Sequence, residues 1–187
     1  HTNYWSLSTL NIFLDKIDLK IFKVEKIKTH GGSIRVYISQ EKDIKIDQSV
    51  ENLLQEEEKF GLKNISTYLD FGKKIETLRD KVIKNLKKLN DKHPSIVGYG
   101  APAKATTALN YFNIKKEIDF IVEDNKLKQG KFIPGVNIPI VSREKIKNQN
   151  SVVLVLAWNF FEEIKKNNKD ISNNFISIKS LEQDEIN

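Results

Sequence analysis

The clearest chemistry in the sequence lies in a glycine-rich turn, Gly98-Tyr99-Gly100-Ala101-Pro102-Ala103, which matches the pattern G-x-G-x-x-G/A. Gly98 permits a sharp turn, Gly100 lets the backbone approach a phosphate, and the helix predicted to begin at Ala101 offers free N–H groups. Lys104 follows in the first helical turn, where its ammonium suits a diphosphate. The pattern predicts a phosphate or diphosphate ligand; glycines needed only for strand–helix packing are the alternative.

A second group of polar residues follows the next predicted strand along the chain. Asp124 lies at the end of that strand, where an acid that binds a ribose hydroxyl is expected. Asn125, Lys128 and Lys131 add hydrogen-bonding groups and positive charge in the loop that runs to Gly135. The sequence therefore predicts that this loop faces a ligand, and an ordinary surface loop stays possible.

Two histidines and two aromatic residues complete the candidates. His1, near Tyr4, could act as a general base at neutral pH, and His30 lies in a glycine-containing turn. Trp158 follows an apolar run and could stack on a ring or simply pack in the core. The chain has no cysteine and only three histidines, far apart in sequence, so no thiolate zinc site, iron–sulfur cluster or other metal site is predicted.

Composition excludes several classes of protein. The chain has 187 residues, 39% hydrophobic and 30% charged, which suits one large or two small globular domains. The net charge is +6, but all except three of the 31 basic residues are lysines interspersed with acids, so no nucleic-acid partner is predicted. No apolar run is long enough to span a membrane, and no secretory signal is visible, so we expect a cytoplasmic protein without a membrane partner.

The first half of the chain predicts helices and one hairpin. Apolar spacing indicates a short helix over 4–16, and two alternating runs, 19–27 and 33–39, flank Gly31-Gly32 as in a β-hairpin. A helix capped by Ser49 and ended by Gly61 should follow. A longer helix, from Asn64 to about Asn90, carries one apolar stripe.

From Ser95 onward, short apolar runs alternate with helical patterns. Predicted strands are 95–98, 118–122, 138–141, 151–157 and 175–178, and predicted helices are 101–112, 142–147 and 159–168. Because the strand runs are continuously apolar, they indicate a parallel sheet covered on both faces. The fold class is α/β: a Rossmann-like, mostly parallel sheet in the C-terminal part, preceded by helices and a β-hairpin.

Taken together and in this order, the motifs resemble the carboxyl-terminal portion of S-adenosylmethionine-dependent C-methyltransferases that act on nucleotide-linked deoxysugars. The resemblance covers nearly the whole chain. Its motifs are His1-x-x-Tyr4-x-Ser6, residues 29–37, residues 98–104, Asp124-Asn125 with 128–131 and 134–135, residues 138–140, and Ala157-Trp158-Asn159.

The resemblance implies a division of the chain and a substrate. Residues 1–45 would be the terminal helix and hairpin of a methyltransferase domain, 46–93 a helical connector, and 94–187 a Rossmann-like domain that holds the nucleotide-linked keto-deoxysugar. The residue matching His1 would remove a proton from the sugar carbon, and the resulting enolate would attack the sulfonium methyl group. The other substrate-binding residues would be Tyr4, His30, Gly98, Gly100, Ala101, Lys104, Asp124, Asn125, Lys128, Lys131 and Trp158.

The glycine-rich loop that binds the methyl donor in this family belongs upstream of His1. We therefore expect a C-terminal fragment that holds the sugar substrate, lacks the S-adenosylmethionine site and transfers no methyl group by itself. Its partner could be a missing N-terminal half or a second copy. Two other functions stay open: a nicotinamide-dinucleotide-binding oxidoreductase domain, from the glycine motif and Asp124, and a non-catalytic interaction module that uses the stripe from Ile65 to Leu89.

Overall fold

The computed structural model of the chain describes residues 3–146 and 150–184. Its contacts group the chain into two compact units, residues 1–72 and 73–187. The division into 1–45, 46–93 and 94–187 stays a prediction. Within the described residues, no helix combines the length and apolar character that crossing a membrane requires.

The first unit contains the predicted hairpin. Helix α1 (Leu7–Asp15) precedes strands β1 (Lys20–Ile27) and β2 (Ser33–Ser39), which pair antiparallel, and helix α2 (Gln48–Phe60) follows. The side chain of Ser6 accepts a hydrogen bond from the Thr9 amide and so caps α1. One small apolar core joins these elements; its buried members are Leu7, Leu14, Ile21, Val24, Val50 and Leu53.

The start of α2 corrects one prediction. Asp47, and not Ser49, is the N-cap, because the Asp47 carboxylate accepts a hydrogen bond from the Ser49 amide at 2.9 Å. The Ser49 hydroxyl instead accepts from the Val24 amide at 3.2 Å and so ties the helix to β1. Gly61 ends α2 in the left-handed conformation, as predicted. Helix α3 (Ile65–Lys92) follows.

The second unit is built on a five-stranded parallel sheet. Its strands are β3 (Ile96–Tyr99), β4 (Ile121–Val122), β5 (Ile140–Val141), β6 (Val152–Val155) and β7 (Phe175–Ser177), in the order β5-β4-β3-β6-β7. Helices α4 (Ala103–Tyr111) and α5 (Phe161–Asn167) follow β3 and β6. The predicted α/β class with a mostly parallel sheet is confirmed. The predicted helix over 142–147 is only a 3₁₀ turn, Arg143–Lys145, and a 3₁₀ turn, Trp158–Phe160, precedes α5.

Both faces of this sheet are covered. Along β6, Val152 and Leu154 belong to one apolar cluster, whereas Val153 and Val155 belong to the cluster on the opposite face. The first cluster includes residues of α3 and α4, and residues of α5 pack against the second. This explains why the strand runs are apolar throughout instead of alternating.

Candidate functional site

The second unit contains a cleft of about 580 Å³ at the carboxyl ends of β3, β4 and β6. Strands β4 and β6 pair with β3 on opposite sides, so the chain leaves β3 at a point where the strand order reverses. Open α/β sheets bind ligands at such a point. The charged residues that line the cleft are Glu123, Asp124, Lys128, Arg143 and Glu163.

The glycine turn is shaped by close packing. An added Cβ at Gly98 would lie 2.7 Å from Cγ1 of Ile121, and one at Gly100 would lie 2.7 Å from Cβ of Ala157. Gly100 also has a φ of +87°, which strains any residue with a side chain. Both glycines are therefore needed for packing, whether or not a ligand binds at the turn.

A carboxylate of the protein itself faces the turn. The Ala101 amide, which the sequence offered to a phosphate, donates to Oε2 of Glu123 at 2.9 Å. Nζ of Lys128 donates to the Ala101 carbonyl at 3.0 Å and lies 3.3 Å from the same carboxylate. Burial alone would raise the pKa of Glu123, but hydrogen bonds from the Asn125 and Ala101 amides, together with Lys128, hold that pKa below its ordinary value. The turn thus already holds a carboxylate, which is paired with Lys128.

Asp124 lies beside the turn, where the ribose-binding acid was predicted, and its position is set by a buried tyrosine. The Tyr99 hydroxyl lies 3.0 Å from both carboxylate oxygens of Asp124 and 3.2 Å from Oδ1 of Asn168. Burial, followed by the hydrogen bond to Asp124, raises the pKa of Tyr99 to about 12, so the phenol stays protonated and can donate. Asp124 itself is exposed and lines the cleft, where its carboxylate is a hydrogen-bond acceptor positioned by the Tyr99 hydroxyl.

Lys104 and Trp158 lie beside the cleft, in a separate small cavity of about 60 Å³. Nζ of Lys104 lies 5.1 Å from the centre of the Trp158 ring. Asn125 and Lys131 are exposed and do not line the cleft. The Asn125 side chain accepts a hydrogen bond from the Leu127 amide at 3.0 Å, which shapes the loop.

Three predicted residues belong to the first unit. Tyr4 is exposed and lines a cavity of about 410 Å³ together with Trp5 and Gly32. His1 lies outside the described residues, and so does the side chain of His30. Their predicted contributions to catalysis and substrate binding stay predictions. Within residues 3–146 and 150–184, no group of three metal-ligating side chains could hold an ion.

Sequence reasoning missed several residues of the cleft. Glu123 directly precedes Asp124, so its position at the end of a strand was the one available signal. Arg143 follows β5, lines the cleft and forms an ion pair with Asp170. Asn168 is buried at the end of α5, where its Nδ2 donates to the Ile164 carbonyl. Nothing in the local sequence marked either of these two residues as part of a site.

Comparison with known proteins points to one family. A family model described as the C-methyltransferase C-terminal domain matches residues 28–177. The C-methyltransferase NovU of Streptomyces niveus is 32% identical over 177 residues, which are 93% of this chain and 42% of the relative. The chain therefore spans less than half the length of this relative. The residues matched by the family model include strand β2 of the hairpin, the glycine turn and the lining of the cleft.

Proposed function

The chain belongs to the family of C-methyltransferase C-terminal domains, and from this membership and the cleft we propose that it binds the substrate of a C-methyltransferase. The proposed substrate is a nucleotide-linked keto-deoxysugar, and the second unit is the part that holds it. Methyl transfer and catalysis would be properties of the whole enzyme, which we propose uses S-adenosylmethionine as methyl donor.

The observation that carries the proposal is the fixed carboxylate of Asp124 in the cleft at the strand reversal. Ribose and sugar hydroxyls donate hydrogen bonds, and a carboxylate whose other contact is a protonated phenol is a ready acceptor. Glu163 adds a further carboxylate, and Arg143 adds a donor suited to carbonyl oxygens. The cleft thus suits a ligand that is rich in hydroxyl and keto groups.

The same cleft suits a nicotinamide dinucleotide less well. In dinucleotide-binding folds the diphosphate lies on the amides of the glycine turn. Here Glu123 accepts the hydrogen bond of the Ala101 amide, so a diphosphate at that position would meet a carboxylate. A dinucleotide needs its diphosphate at this turn, whereas the diphosphate of a nucleotide-linked sugar can lie elsewhere, so this arrangement counts against the oxidoreductase alternative.

A methyl donor with its carboxylate at the glycine turn would meet Glu123, which already accepts hydrogen bonds from Ala101 and Lys128. We therefore assign none of the described residues to the methyl donor. The base that the resemblance places at His1 likewise stays a prediction.

Calorimetric titration of the chain with thymidine diphosphate, NADH and S-adenosylmethionine tests the proposal. We expect saturable binding of thymidine diphosphate alone, weakened about tenfold by Asp124→Asn because a hydrogen bond to a charged acceptor is lost. Asp119→Asn is the matched control. Asp119 lies before β4, at the end of the strand opposite to Asp124, and its carboxylate accepts a hydrogen bond from the Ser95 hydroxyl at 2.6 Å. Binding of NADH in place of thymidine diphosphate would overturn the proposal.

A further inference from the structure

Two lysine ammonium groups converge on one indole ring beside the cleft. Nζ of Lys104 lies 5.1 Å from the centre of the Trp158 ring, and Nζ of Lys179 lies 5.9 Å from it. Lys104 follows β3, Trp158 follows β6 and Lys179 follows β7, so three neighbouring strands supply these groups from their carboxyl ends. Sequence reasoning had not selected Lys179.

These two lysines differ from the cations of the cleft. Lys128 is paired with Glu123 and Arg143 with Asp170. In the described part of the chain, neither Lys104 nor Lys179 forms an ion pair; each instead lies near the indole. Trp158 is half-buried and packs against the apolar core, which fixes the ring that both ammonium groups share.

The charges therefore separate into two regions. The cleft is lined by three carboxylates, from Glu123, Asp124 and Glu163, and by two cations, Lys128 and Arg143, so its net charge is negative and disfavours a diphosphate. The region around Trp158 holds two positive charges without a carboxylate partner among the described residues, and such a pair attracts a polyanion. A ligand with a diphosphate and a hydroxyl-rich end matches this separation.

A single ligand could reach both regions, because Pro102, Ala157 and Phe160 line the cleft and the small cavity alike. We propose that Lys104 and Lys179, positioned by Trp158, bind the diphosphate of the nucleotide-linked sugar while its hydroxyl-bearing end occupies the cleft at Asp124. This inference rests on the proposed function and assigns the parts of that substrate to two subsites. It also moves the diphosphate away from the amide of Ala101, where the glycine motif had placed it.

The test uses Lys104→Gln, Lys179→Gln and the double variant, because glutamine keeps most of the stem and removes the charge. Both lysines are exposed, so the variants should fold, and circular dichroism checks this. Lys165→Gln is the matched control: its ammonium lies 5.9 Å from the centre of another ring, that of Phe161. Titrations with inorganic diphosphate, thymidine diphosphate and thymidine are followed by calorimetry.

A second readout comes from the protein itself. The chain has two tryptophans, so Trp5→Phe leaves Trp158 as the one indole that reports binding. We expect inorganic diphosphate to change its emission, since the anion would draw both ammonium groups from the ring. Each single lysine variant should weaken diphosphate binding about tenfold and the double variant more, with Lys165→Gln unchanged.

The outcomes separate the subsite from the proposed function. If inorganic diphosphate fails to bind, or binds the double variant as tightly as the native chain, the subsite is overturned. Lysine-dependent binding of inorganic diphosphate without any binding of thymidine diphosphate would support the subsite and contradict the proposed function. If Asp124→Asn weakens thymidine diphosphate while the lysine variants do not, the proposed function stands and the subsite falls.

Discussion

Substituting Gly100 by alanine should destabilise the second unit for two separable reasons. The φ of +87° costs an L-residue about 1 to 2 kcal/mol. The new Cβ would also lie 2.7 Å from Cβ of Ala157 and 3.4 Å from its nitrogen, so backbone must shift, at about 1 to 3 kcal/mol. We expect the free energy of unfolding to fall by about 2 to 5 kcal/mol in total.

Gly130→Ala separates the two contributions. Gly130 has a φ of +76°, and an added Cβ would meet no heavy atom within 4 Å. Its substitution should therefore cost only the conformational term, about 1 to 2 kcal/mol. Urea denaturation followed by circular dichroism measures both variants, and the excess loss in Gly100→Ala is the cost of the contact with Ala157.

Adding Ala157→Gly to Gly100→Ala removes the nearest clashing atom. The double variant should recover most of the contact cost, less about 0.5 to 1 kcal/mol for the added backbone freedom of glycine. The reasoning is refuted if Gly100→Ala is no less stable than Gly130→Ala. It is equally refuted if Ala157→Gly changes stability by the same amount with and without the alanine at 100.

Three further predictions concern carboxylates and the buried phenol. The pKa of Tyr99 is raised to about 12 in the folded chain, so the contribution of this phenol to stability is present below pH 10 and is lost as pH rises toward 12. Relative to Tyr99→Phe, the free energy of unfolding of the native chain, measured by urea titration, should fall by about 2 to 3 kcal/mol between these pH values. The lowered pKa of Glu123 has the opposite effect: this carboxylate stabilises the fold above the ordinary glutamate pKa, and the stabilisation is lost as pH falls below it. Glu123→Gln should therefore reduce the dependence of the free energy of unfolding on pH in the acidic range. Glu57 accepts from the Leu7 and Ser8 amides at 2.6 and 2.8 Å with its two oxygens, and Glu57→Gln, which keeps one acceptor, should lower the protection of α1 in hydrogen exchange by about 1 kcal/mol.

Much of the fold follows from periodicity. The alternating runs on either side of Gly31-Gly32 give the antiparallel pair β1–β2, and the continuously apolar run over 151–157 contains β6, which pairs with β3 on one side and β7 on the other. These signals are strong because burial of one or both faces leaves few alternatives for the side chains. The end of α2 at Gly61 was equally predictable, because a helix commonly ends in a residue with left-handed backbone conformation, which glycine adopts readily.

The sequence pattern did not predict local structure correctly where a contact with a distant segment determines which of two suitable residues is used. Asp47 and Ser49 are both favourable N-cap residues. Asp47 caps α2 because the Ser49 hydroxyl already accepts a hydrogen bond from the Val24 amide of β1. Strand β5 comprises only Ile140–Val141 of the predicted 138–141, and the residues on either side of Pro139 form hydrogen bonds with the preceding loop. The Ile133 amide donates to the Ile138 carbonyl, and the Ile140 amide donates to the Lys131 carbonyl.

The site shows the same limit in its electrostatics. Composition and spacing identified the glycine turn but not the charge that faces it, because that charge depends on the pairing of β3 with β4. In this register Tyr99 pairs with Val122, which brings Glu123 beside Gly100 and Ala101. The next carboxylate, Asp124, bonds to the Tyr99 hydroxyl instead, so two consecutive acids face different parts of the cleft. The glycine turn therefore has the backbone shape of a diphosphate site, but its Ala101 amide already donates to the carboxylate of Glu123. In the proposed subsite the positive charge comes instead from Lys104 and Lys179, which form no ion pair within the described residues and lie near Trp158.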